Sequence, residues 1–278
     1  MSDPIAAPVW QDALSLCRDL QDGTITAQTV MSNVYDRINA LNPTLNALVD
    51  LLPQDQAMAL AVEADALPIA ARGPLHGLPM APKDAVAIKG FATTWGFPGF
   101  AANIESADDE LARRMRAAGA IFIGHSNMPE FGLGSHTFNE LYGNTLNPYD
   151  LSKTPGGSSG GAAVALAADL LPLADGSDLG GSLRNPASFC NVVGYRPSMG
   201  RMPFNRGFGW FGRMVTTGPM AKNVRDTALM FSVIAGPDGG DPLTLPDSGT
   251  SFLDALTPLD AQELKGLRVG FSTDLGSL

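Results

Sequence analysis

Apolar residues recur at helical spacing behind Thr26: Val30, Val34, Ile38 and Leu41 fall on one face. Thr26 stands where a side-chain oxygen can cap that helix, and Asn42-Pro43 predicts its end. A second helix is predicted from Ser106 through Leu111 and Met115 to a stop at Gly119. The apolar run Ala120-Ile-Phe-Ile-Gly124 follows at once and predicts a buried strand. The same order recurs downstream. Gly160-Gly161 opens an alanine-rich helix over Ala162–Ala168, and Leu170-Leu-Pro-Leu-Ala174 predicts a strand despite its proline. Asn223 caps a helix that turns Val224, Ala228, Phe231 and Ala235 inward, and Leu267–Ser272 predicts a further strand. Helices followed by apolar strands make an α/β protein. The last predicted strand lies a few residues from Leu278, short of the crossover that a buried parallel strand needs, so the sheet is expected to be incomplete at its C-terminal side.

Composition narrows the class of function. The 278 residues suffice for a sizeable core, and 45% of them are hydrophobic without any apolar run of transmembrane length. The net charge of −10 disfavours a nucleic-acid surface, which needs a basic field. No basic segment followed by an apolar one opens the chain, so no secretory signal is expected. Cys17 and Cys190 are read as buried apolar filler in a reducing, cytoplasmic setting. The Gly- and Pro-rich connections Pro203–Pro219 and Pro237–Pro246 are not sharp enough to divide the chain, so one domain over 1–278 is expected, with an N-terminal helical region over 1–25.

Two serine-glycine segments carry the candidate chemistry: Pro155-Gly-Gly-Ser-Ser-Gly-Gly161 and Gly176-Ser-Asp-Leu-Gly-Gly-Ser-Leu-Arg-Asn-Pro186. Gly156-Gly-Ser-Ser-Gly160 matches the G-x-S-x-G nucleophile elbow, which needs a histidine downstream of its serine. The three histidines, His76, His125 and His136, all precede Ser158, so the elbow reading fails. A serine nucleophile without histidine needs another base, and neutral lysine is the usual substitute. Lys83 has the most apolar surroundings of the lysines, in Leu78-Pro-Met-Ala-Pro-Lys-Asp-Ala-Val-Ala-Ile88, and burial favours the neutral amine. Taken locally, Lys83 beside Asp84 reads rather as an ion pair.

Pro82-Lys83-Asp84, the run Thr154–Gly161 and the run Gly176–Ala187 together resemble the amidase signature family. Asn127-Met-Pro-Glu-Phe131, Tyr142–Pro148 and Gly218-Pro-Met-Ala-Lys222 add to the likeness, in the family's order, from about Thr26 onward. The resemblance implies a mixed, largely parallel central sheet flanked by helices on both faces, with a catalytic core over 75–225 in the N-terminal part of a longer family domain. It implies Ser182 as nucleophile, Ser158 as a bridging serine joined to Gly157 by a cis peptide, and Lys83 as base. The backbone N–H groups of Leu179, Gly180, Gly181 and Ser182 would form the oxyanion hole. The implied activity is hydrolysis of a carboxylic amide through an acyl-serine. The alternatives are the amidase-type subunit of a glutamine-dependent amidotransferase, or a family member without catalysis.

No metal or organic cofactor is expected. The expected partner is a small-molecule amide rather than a nucleic acid or a membrane, and a homodimer is left open. Asp178 and Arg184 read as a pair that stiffens the nucleophile loop, Ser159 and Ser177 as loop-orienting hydroxyls, and His125 and His136 as structural. Asn127, Asn144 and Asn147 are expected to hold backbone near the site. The aromatic stretch Phe204–Phe211, with Trp210 and Phe211 as substrate-binding candidates, is expected to line an apolar pocket favouring aryl or long aliphatic amides. The alternative for both this stretch and the other aromatic one, Trp95–Phe100, is that the rings anchor long loops to the core.

Overall fold

A computed structural model of the chain describes residues 7–203, 214–247, 250–255, 265–273 and 276. Trp210 and Phe211 lie outside the described residues. Helix α1 (Ala13–Asp22) starts where Asp12 accepts the Ser15 N–H and ends at Gly23, whose φ of +76° completes a left-handed stop. Its first N–H groups, on Ala13 and Leu14, donate to Asp226 at 2.9 Å each, so the N-terminus is tied to a residue 213 positions away. Helix α2 (Ala27–Leu45) is capped by Thr26 as expected. It runs on through Pro43, because a proline this close to the last turn removes a single N–H while the next bond, Asn46 N–H to the Asn42 carbonyl at 2.7 Å, still forms. Asn42 then turns the chain: its side chain accepts from the N–H groups of Ala47 and Leu48 and donates to the Leu48 carbonyl.

The chain next forms β1 (Leu48–Val49), α3 (Gln54–Asp65), β2 (Pro79–Met80), α4 (Glu110–Ala117), β3 (Ile121–Phe122) and β4 (His125–Ser126). Helix α4 begins later than Ser106 because Asp109 is the residue whose carboxylate accepts a first-turn N–H, from Ala112. The segments β5 (Phe138–Asn139) and β6 (Gly143–Asn144) lead to α5 (Gly160–Ala167), β7 (Ala174–Asp178), α6 (Arg184–Phe189), β8 (Val193–Gly194), β9 (Thr216–Ala221) and α7 (Val224–Ile234). Asn223 caps α7 as the sequence predicts.

The architecture is α/β, with mixed pairing. Strands β2 and β3 run parallel, and Lys83 continues that direction in a bridge to Ser126. The β1–β4 and β5–β6 pairs and the sheet ordered β7–β9–β8 are antiparallel. Two expectations about single strands shift. The strand predicted over Leu170–Ala174 begins only at Ala174, because the Leu170 and Leu171 N–H groups return to the Ala165 carbonyl and close α5. Leu267–Ser272 is exposed and forms no strand, having no core face against which to lie.

Helix α5 is the central pillar, buried from Gly160 to Leu166 and packed against β1, β4, β7 and β9. A helix apolar all round belongs in a core. Close packing here depends on Gly161: a Cβ there would lie 2.4 Å from the Asn127 nitrogen and 2.5 Å from the Ala47 carbonyl oxygen, both backbone atoms that cannot swing aside. Gly161→Ala is therefore expected to destabilise the fold by about 1–3 kcal/mol through overpacking. Gly239→Ala, where nothing lies within 4 Å of the new methyl, should change stability by less than about 0.5 kcal/mol. Urea unfolding of the two variants checks the contrast.

Candidate active site

Lys83 follows β2 and is only 1% exposed, the largest fully buried side chain of the core. Its Nζ lies 2.6 Å from Ser158 Oγ, 3.0 Å from Ser159 Oγ and 3.0 Å from Ser177 Oγ. An ammonium would donate to all three hydroxyls; a neutral amine donates to two and accepts from the third. Burial pulls the Lys83 pKa down to about 7, against the opposing pull of the Asp175 and Asp178 charges, so the amine is substantially neutral at physiological pH. The neutral form can accept a proton from a serine, and Ser158 is the closest.

Ser158 is 2% exposed, and its peptide bond from Gly157 is cis. Ser159 joins the two serine-glycine segments. Its N–H donates to the Ser182 carbonyl at 3.1 Å, and its hydroxyl accepts the Ser177 N–H at 3.2 Å. Ser182, half-buried, thus sits on backbone fixed to the Lys83–Ser158 pair.

The loop carrying Ser182 is organised from within by Asp178, fully buried. Its carboxylate accepts from the N–H groups of Gly181 (2.8 Å) and Leu183 (3.1 Å) and from Arg184 through two nitrogens at 2.9 and 3.0 Å. Arg196 approaches at 3.4 Å. Burial alone would raise the Asp178 pKa, but these donors outweigh it and hold the carboxyl at about 2. Asp178 and Arg184 therefore do pair. The Gly181 N–H points at Asp178, whereas Leu179 and Gly180 are exposed at the tip of the loop, with open space beyond Gly180.

The other residues singled out in the sequence lie around this centre. Asn127 holds the Gly143 carbonyl and Thr145, and Asn147 holds the carbonyls of Thr154 and Phe189. Asn144 is exposed on β6. His136 is exposed and bonds Thr154, while His125 is buried against the Val86 carbonyl, its pKa lowered by burial and its Nδ1 without a partner among the described residues. The rings of Phe97, Phe100 and Phe131 stack on one another with centroids 5.3–6.1 Å apart. This cluster leads into Gly132, where a Cβ would lie 3.6 Å from Ser158 Oγ. Among the described residues, no three His, Cys, Asp or Glu side chains group closely enough to hold a metal ion. No described helix is long and apolar enough to cross a membrane.

Sequence reasoning missed Asp175, a buried carboxylate whose oxygens lie 3.2 and 3.4 Å from the Lys83 backbone nitrogen. It also assigned Ser159 and Ser177 to loop orientation alone, although both hydroxyls touch Lys83 Nζ. The signal was period-two alternation across Ala174–Asp178, which puts positions 175 and 177 on one face. Placing the strand four residues early concealed it.

The sequence matches the Amidase family over residues 29–278. It is 38% identical to an acylamidase of Rhodococcus erythropolis over 269 residues, 96% of this chain and 55% of that protein. It is 37% identical to a glutamyl-tRNA(Gln) amidotransferase subunit of Coxiella burnetii, covering 92% of this chain and 52% of that one. The crystal structure of a bacterial aryl acylamidase of the amidase signature family superposes with a TM-score of 0.81 at 32% identity, over 87% of this chain and 51% of that one. The chain thus belongs to the amidase signature family, with its fold, and spans about half the length of the curated relatives it matches.

Because the Asp178 pKa lies below its ordinary 3.8, the carboxylate adds stability above that pH, and this stability is lost as pH falls toward about 2. Urea unfolding of the wild type should therefore weaken between about pH 4 and about pH 2 by a component that Asp178→Asn lacks.

Proposed function

We propose that this chain carries the acylating machinery of a serine-dependent amidohydrolase that cleaves a carboxylic amide into carboxylate and amine or ammonia. The observation that carries this reading is the buried Lys83 amine ringed by three serine hydroxyls, with its pKa near 7. Lys83 takes a proton from Ser158 as Ser158 takes one from Ser182, and the Ser182 oxygen attacks the amide carbonyl carbon. The C–N bond breaks as the proton returns through Ser158 to the leaving nitrogen. Water then hydrolyses the ester by the same relay. The residues between 75 and 225 form the catalytic core.

The carbonyl oxygen becomes O⁻ in the transition state and needs N–H donors already aimed at it; one such donor is worth about 3–4 kcal/mol. Leu179, Gly180 and Ser182 supply them. Gly181, the fourth donor expected, is engaged by Asp178 and acts through the shape of the loop. The aromatic cluster reaching Gly132 supports an aryl or long aliphatic acyl group over a small polar one.

The likeness to an amidotransferase component supports a second reading, in which the released ammonia passes to a partner protein. Glutaminase activity that depends on such a partner would favour it; hydrolysis of simple amides by the isolated full-length protein favours the first.

A serine-reactive phosphonate followed by mass spectrometry tests the assignment, with the adduct expected on Ser182; a folded protein left unlabelled there would overturn it. Lys83→Ala should slow labelling by roughly 10²–10⁴-fold, the usual contribution of a general base. In the wild type the labelling rate should climb as pH rises through about 7, where the amine loses its proton.

A further inference from the structure

Strand β7 grips Lys83 at both ends. Ser177 holds the side-chain nitrogen at 3.0 Å, and Asp175, two residues earlier on the same face, holds the backbone N–H at 3.2 Å. We propose that Asp175 is a positioning residue for the reaction. It fixes the backbone at Lys83, and its negative charge sets the pH at which the amine becomes free to accept a proton. This inference rests on the amidase reading given above.

Two carboxylates act on Lys83 among the described residues, Asp175 first and Asp178 second. Asp178, on the same strand, is paired with Arg184 and Arg196, whereas Asp175 bonds Lys83 itself. Asp109, which faces Asp175 from the start of α4, holds the N–H groups of Ala87 and Ala112. His125, on β4, faces the charge of Asp84, itself bound by the Thr94 and Gly96 N–H groups. The neighbouring strand β9, Thr-Thr-Gly-Pro-Met-Ala, carries no ionisable side chain, and α5 carries none. Opposite Asp175 in β9 stands Pro219, which has no N–H to offer.

Burial works on the two groups in opposite senses. It favours the neutral amine at Lys83 and the protonated acid at Asp175, whose pKa rises to about 7. Each charge favours the other, so the proton-loss steps belong to the pair. Removing the Asp175 charge withdraws support from the ammonium. Lys83 then gives up its proton at lower pH.

The pH dependence of phosphonate labelling, measured on the full-length protein, tests this. In Asp175→Asn the half-maximal pH should fall by about one unit or more, as expected when an opposite charge is removed from a buried group. Asp175→Glu, which keeps the charge, should stay near the wild-type midpoint. A labelled Asp175→Asn protein with a lower plateau and an unmoved midpoint would overturn the inference, because a purely structural role lowers rate at every pH alike. If Asp175→Asn fails to fold, Asp175→Ser replaces it; failure of both to fold assigns the residue to the core and overturns the inference too. Wild type unlabelled at every pH would instead sink the amidase reading itself, and this inference with it.

Discussion

Everything at the site depends on taking one amine out of water. In water a lysine holds its proton to about pH 10, far too tightly to serve as a base at neutral pH. The fold buries Lys83 completely and gives its nitrogen three hydroxyls in place of water. Desolvation disfavours the charge while the serines satisfy the hydrogen-bonding needs of either protonation state. The result is an amine of pKa about 7 directly bonded to Ser158.

The rest of the molecule holds that amine in place. The three hydroxyls come from two segments, the entrance to α5 and strand β7. They stay in register because the Ser159 N–H bonds the Ser182 carbonyl and the Ser159 hydroxyl bonds the Ser177 N–H. Helix α5 approaches Asn127 and Ala47 closely because Gly161 has no side chain. On the other side of Ser182, a buried carboxylate does for the loop what the serines do for the lysine. Asp178 binds two amides and two arginines, and so fixes the backbone from Gly181 to Arg184.

Much of this was legible in the sequence, for reasons that differ by residue. Thr26 and Asn223 announce helix starts because a capping oxygen acts on its own first turn. The position of three histidines upstream of Ser158 removed the elbow reading, and the ordered family segments pointed to Lys83, Ser158 and Ser182 together. What stayed hidden depends on contacts distant in sequence. Leu170-Leu-Pro-Leu-Ala174 has the composition of a strand, but two of its N–H groups return to Ala165. That local competition moves β7 to Ala174–Asp178 and turns Asp175 and Ser177 toward Lys83. Pro43 looked like a stop but lies near enough to the helix end to be tolerated. Asp175 makes its contact with Lys83 only across the 92 residues that separate the two.

The proposed catalysis at this centre stands or falls on the charge of Lys83. Its side chain can be titrated directly by NMR of the full-length protein carrying isotope-labelled lysine, in a Ser182→Ala background, with Lys83→Arg used to assign the resonance. A neutral-amine base requires a midpoint near 7. A midpoint close to the ordinary lysine value of about 10.4 would contradict it.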